Sequence, residues 1–152
     1  MTIEMIHYAV LAVLVVAAIL DARSSKIPNW SIYLLLAIFG VKAAVFPDAV
    51  DLYVQIGAAA VVFIVGLGGF ALGAFGAGAV KLLSATTLFL PIEHGLALAA
   101  ILFGAAFVFT FLFMFVRGMF GSEDSKWASM RKRIVPLSWP IGAMTAIALF
   151  YF

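Results

Sequence analysis

Residues 52–90 form a run of about 40 residues that contains a single charged side chain, Lys81. As one helix rising 1.5 Å per residue the run would be about 58 Å long. That is nearly twice the roughly 30 Å of hydrocarbon in a bilayer. In water, so long an apolar stretch would need more covering surface than a chain of 152 residues can supply. The run must therefore turn once within a lipid environment. Gly73, Gly76 and Gly78, with Lys81 just beyond, mark the place. Composition points the same way: 66% of residues are hydrophobic and 11% charged, with a mean hydropathy of +1.23, whereas soluble domains hold about 45–50% apolar and about 25% charged residues.

Charge, proline and glycine divide the remainder into spans. The expected architecture is an all-α integral membrane protein of six transmembrane helices: Ile3 to Leu20, Trp30 to Phe46, Leu52 to about Leu72, Val80 to Leu90, Gly95 to Phe115, and Val135 to Phe152. The fourth is short, preceded by the glycine-rich segment and stopped by Pro91. No Lys or Arg precedes the first apolar run and no small-x-small cleavage site follows Leu20, so it reads as a retained helix rather than a signal peptide. No internal repeat is visible, and residues 1–152 read as one membrane-embedded domain.

Six spans place residues 21–29, 73–81 and 117–133 on one face. Eight of the nine Lys and Arg residues fall there; Lys42 alone falls on the other. By the positive-inside rule that face is cytoplasmic and both termini lie outside the cytoplasm. This sidedness accounts for the net charge of +2 and the pI near 9.1, and no nucleic-acid partner is expected. Trp30, Trp127 and Trp139 lie at or near the same face, as an interfacial belt would place them. Trp127, Met130 and Ile134 recur at helical spacing beside Lys126, Arg131 and Lys132, where either a short interfacial helix or a solvated basic loop fits.

With no cysteine in the chain, disulfides, thiolate metal sites and cysteine nucleophiles are excluded. Ionisable groups at membrane depth are costly, so each is a functional candidate until a boundary position explains it. Lys42, Asp48, Asp51 and Glu93 sit at span ends or in outer loops. Glu4 and His7 have no further ligand at metal spacing, and no metal or cofactor is expected. Two segments remain. Asp21 closes the first helix and opens Asp21-Ala22-Arg23-Ser24-Ser25-Lys26-Ile27-Pro28-Asn29, in which Pro28 fixes the backbone and Asn29 is a competent N-cap for the second helix. The other segment, Gly76-Ala77-Gly78-Ala79-Val80-Lys81, lacks both the Walker continuation and the preceding strand of a dinucleotide fingerprint.

Together these segments resemble the prepilin peptidase family of intramembrane aspartic proteases, most closely its small Tad or Flp pilus branch. The family's first catalytic aspartate stands in a D-x-R-x-x-x-I-P-N stretch, matched by Asp21, Arg23, Ile27, Pro28 and Asn29. Its second stands in G-x-G-D-x-K, matched by Gly76, Gly78 and Lys81, but the aspartate position holds Ala79. The resemblance implies a six-helix core in the bacterial inner membrane. The implied substrates are pilin precursors, whose short basic leader ahead of an apolar helix is cut at the cytoplasmic face. Membrane lipid and the precursor are thus the implied partners. Arg23 and Lys81 are candidates for orienting or tuning the carboxylates, or are simply positive-inside anchors. Larger relatives carry a cysteine-bearing cytoplasmic region linked to N-methylation; these 152 residues show no such region and no cysteine, so the resemblance implies peptidase function only.

The span directions bring the two motifs together independently of the resemblance. The first helix runs inward and ends at Asp21; the fourth runs outward and begins at position 79, so both positions share one depth and one face. Two nearby carboxyls do not ionise together cheaply, which leaves one as general acid and one as base. One carboxylate cannot fill both roles, and the chain as written is expected to be inactive or nearly so. Ala79 is either an engineered replacement that traps an inactive protease or a natural pseudoenzyme substitution. A non-proteolytic membrane scaffold of a pilus or secretion system is the rival from another class. A minimal transporter is disfavoured by the clean apolar middles of the second, fifth and sixth helices.

Overall fold

The structure is a computed structural model that describes residues 2–24, 26–71, 76–90 and 137–151, together with positions 104, 108, 109, 112 and 115. Among them the chain is helical: α1 (Ile3–Ser24), α2 (Asn29–Val45), α3 (Leu52–Ala71), α4 (Ala77–Thr87) and α5 (Ser138–Tyr151), with one 3-10 turn at Pro47–Ala49. The isolated positions within the expected fifth span are each helical. The rest of that span and the expected interfacial helix near Trp127 lie outside the described residues.

Each boundary has a local cause. Helix α1 runs four residues past Leu20, which places Asp21 in its last turn rather than beyond it. Pro28, in an extended conformation (φ −72°, ψ 135°), is the N-cap of α2. Its carbonyl accepts from both the Ser31 N–H at 3.1 Å and the Ser31 Oγ–H at 2.7 Å. The expectation that Asn29 caps α2 is corrected: the helix starts one residue earlier, Asn29 is its first residue, and no side chain caps it. Helix α2 stops before Pro47, since the residue ahead of a proline is driven out of the helical region. Asp51 caps α3, its Oδ1 accepting from the Val54 N–H at 3.1 Å. Helix α4 begins at Ala77, three residues ahead of the expected Val80, because Gly76 is extended (φ −77°, ψ 148°) while Gly78 is already helical. Its exit tightens into i→i+3 bonds, Phe89 N–H to Thr86 O and Leu90 N–H to Thr87 O. Helix α5 starts at Ser138, with Leu137 in a turn ahead of it.

Helices α1 and α4 each pack on both α2 and α5, while α3 lies along α4. The core between them holds Val10, Leu14, Leu35, Leu82, Phe89 and Ile141. On α1 the buried residues Val10, Leu14, Ala17, Ala18 and Asp21 follow helical spacing, so the one carboxylate of that stripe points inward with the packed face. The opposite face is apolar too: Met5, Tyr8, Val15, Val16 and Ile19 are exposed, and on α3 Tyr53 is 93% exposed. Water does not favour such a surface; lipid does. By length and composition, Ile3–Ser24 and Leu52–Ala71 suffice to cross a membrane, and α2 and α5 are shorter apolar helices.

In lipid, helix association draws on close packing and hydrogen bonds rather than on expulsion of water. The α3–α4 pair shows both. A Cβ built on Gly66 would come within 2.6 Å of Val80 Cγ1, so glycine permits this approach. The Ser84 Oγ–H donates to the Ala59 carbonyl at 2.8 Å, and Gln55 Nε2–H donates to the Leu90 carbonyl at 3.4 Å.

Candidate functional site

At the end of the bundle where α1 stops and α4 starts, a cavity of about 350 Å³ is lined by Asp21, Lys26, Ile27, Asn29, Leu137, Lys81 and the segment 76–79. Residues from α1, the α1–α2 connection, the start of α2, the start of α4 and the approach to α5 thus meet in one place. Asp21 is 4% exposed and Ala79 is 7% exposed, both at its wall. The two segments singled out in the sequence therefore share a single cavity, although more than forty residues separate them in the chain.

A direct contact joins them. A Cβ on Gly78 would sit 3.1 Å from Ile27 Cβ and 3.7 Å from the Ile27 carbonyl oxygen. A side chain at 78 would have to push against the Ile27-Pro28-Asn29 stretch, so the glycine of one motif accommodates the isoleucine of the other. Gly76 differs: nothing lies within 4 Å of a Cβ placed there, and its extended backbone is open to any residue. Only one of the two motif glycines is required by packing.

Asp21 is held by α5. Its Oδ2 accepts from the Ser138 Oγ–H at 2.6 Å and from the Ser138 N–H at 3.2 Å. Ser138 opens α5, where backbone N–H groups lack intrahelical acceptors and the helix dipole favours negative charge. The aspartate thus serves as a cap supplied from another helix. Of the basic residues expected at the site, Lys81 lines the cavity; Arg23 is exposed in the last turn of α1 and is not among the described residues that line it. Lys26 lines it instead. Pro28 shapes the site from behind as the α2 N-cap, and Asn29 turns from its expected capping duty to the cavity wall.

Sequence reasoning missed Ser138, Leu137 and Lys26. For Ser138 there was a usable signal, a serine between Pro136 and Pro140 at the start of an apolar helix that ends up on the same face as Asp21. At the other end of the bundle Lys42 is 5% exposed, with its Nζ 6.0 Å from the Phe89 ring centroid, so it is packed rather than extended to a surface. No group of three or more His, Cys, Asp or Glu suited to a metal ion occurs among the described residues.

Chemically, the cavity offers one carboxylate of fixed orientation, two ammonium groups, one amide and a wall of small residues at position 79. One carboxylate can polarise or deprotonate water. A second proton-transfer group at position 79 would complete an acid–base pair across the same space.

Neither the curated proteins nor the solved structures give a match to the chain. The sequence model described as the type IV leader peptidase family matches residues 8–109. That stretch includes Asp21, the Ile27-Pro28-Asn29 segment, position 79 and Lys81, and ends before Ser138.

Proposed function

We propose, because the chain belongs to the type IV leader peptidase family, that it is a prepilin peptidase whose second catalytic aspartate is replaced by Ala79. The family is membrane-embedded and acts on pilin precursors. The proposal adds that this chain is of the small Tad or Flp branch, crosses the bacterial inner membrane six times with both termini outside the cytoplasm, and cuts at the cytoplasmic face. The observation that supports it best is the common cavity of Asp21 and Ala79.

With an aspartate at position 79, the charged carboxylate takes a proton from water and the resulting hydroxide attacks the scissile carbonyl. The protonated carboxyl then gives its proton to the leaving nitrogen as the C–N bond breaks, releasing the leader's new carboxylate and the mature chain's new amine. Asp21 alone supplies only the first half. Lys26 and Lys81, at the cavity wall, are placed to stabilise negative charge developing on the substrate.

The test is Ala79→Asp followed by incubation with a pilin precursor carrying its basic leader and apolar helix. Appearance of the mature chain supports the peptidase. A protein that binds precursor and never cuts it, where an active relative does, supports instead a non-proteolytic scaffold. The observation favouring that second reading is Ala79 itself.

A further inference from the structure

Ser138 Oγ–H and N–H both donate to the same oxygen of Asp21, Oδ2, and Ser138 is fully buried. An ionised carboxylate has roughly two acceptor sites on each oxygen, so those of Oδ2 are engaged by one residue. We infer that Ser138 is a positioning residue for the hydrolysis: it holds the Asp21 carboxyl in one orientation and leaves Oδ1 as the oxygen that meets water. The inference rests on the proposal that Asp21 is one of two catalytic aspartates.

The hydrogen-bond pattern carries this assignment. The hydroxyl bond, at 2.6 Å, is short, as expected for a donor to a charged acceptor. The N–H bond comes from the backbone at the start of α5 and cannot swing away without moving the helix. A carboxyl held by one donor can still rotate about its Cβ–Cγ bond; two donors on one oxygen, one of them fixed in a helix end, restrict that rotation. Misplacing a reacting group by about 1 Å costs about 100-fold in rate, so the restriction has kinetic weight. Ser138 lies beyond residues 8–109, the part of the chain matched by the family model.

The same two bonds also tie α5 to α1, and the experiment must separate orientation from anchoring. In the Ala79→Asp protein, Ser138→Ala removes the hydroxyl while leaving the backbone donor; Ser138→Thr keeps the hydroxyl. Both are compared with Ala79→Asp alone for kcat and KM on pilin precursor and for thermal midpoint in detergent. The expected result for Ser138→Ala is kcat lower by about 10- to 100-fold, KM changed by less than about twofold and a midpoint lowered only slightly, well above the assay temperature, with recovery of most of the rate in Ser138→Thr. The inference is overturned by a Ser138→Ala kcat within about twofold of its parent. It is equally overturned by a kcat loss accounted for by unfolding at the assay temperature, or by a Ser138→Thr protein that melts with its parent yet cuts no better than Ser138→Ala. If Ala79→Asp alone binds precursor without cutting it, the peptidase proposal itself fails, and that outcome is visible before any change at Ser138.

Discussion

On the proposal that Asp21 and position 79 are the two halves of an acid–base pair, a single carboxyl group at position 79 is what this chain lacks. The Ala79→Asp protein is expected to cut pilin precursor, and adding Asp21→Asn to it is expected to lower the rate by about 10²- to 10⁴-fold, the usual contribution of a positioned proton-transfer group. Gel separation of precursor and mature chain reads both; equal cutting with Asn at position 21 would reduce Asp21 to a helix boundary. Asp21 was legible because an acid at the end of an apolar helix is conspicuous and its neighbours form a dense motif. For Ser138 the sequence signalled a helix start but not its partner, since its bond to Asp21 spans 117 residues and a serine at a helix start ordinarily serves its own helix. Lys42 stands in the last turn of α2, a span end as expected, but the spacing of charges along a sequence does not reveal that it is buried, with Phe89 from the turn after α4 beside it.

Between elements, Gly66 of α3 lies so near Val80 of α4 that a Cβ there would come within 2.6 Å of Val80 Cγ1. Gly66→Val is expected to destabilise the fold by about 1–3 kcal/mol through overpacking, read as a lower thermal midpoint in detergent; an unchanged midpoint would mean the two helices are free to separate. The Gly78 and Ile27 contact invites a paired test. Gly78→Ala should lower the midpoint, and Ile27→Val in the same protein should recover part of the loss, because residues in contact are coupled rather than additive. Among the described residues, helix existence and order were legible from apolar runs and breakers. The start of α4 was not, because glycines at 76 and 78 read alike as breakers although only Gly76 is extended and Gly78 is already helical. Nor could α1's extension past Asp21 be read, since the polar residues that end its apolar run do not interrupt its backbone hydrogen bonding.

Across the whole molecule, charge sidedness gives a topology that labelling can check. Cysteines introduced by Ser25→Cys and Ser125→Cys should react with impermeant reagent from the cytoplasm, and Asp48→Cys from the opposite side. Reaction of positions 25 and 48 from the same side would rule out α2 as a span. Cleavage by the Ala79→Asp protein should also be indifferent to chelators and thiol reagents; loss in chelator, reversed by a divalent metal, would replace the two-carboxylate mechanism with metal-activated water. Asp21 and position 79 are not equivalent places at which to silence such an enzyme. Alanine at 79 sits in the first turn of a helix that tolerates it well, and α4 is formed with it in place. Alanine at 21 would instead leave the buried hydroxyl of Ser138 and the first N–H of α5 without their acceptor, at a cost of about 1–3 kcal/mol for each stranded group. A silent protein meant to hold uncut precursor for capture is therefore better made at position 79, because the same change at 21 unfastens the last helix and confuses loss of chemistry with loss of grip.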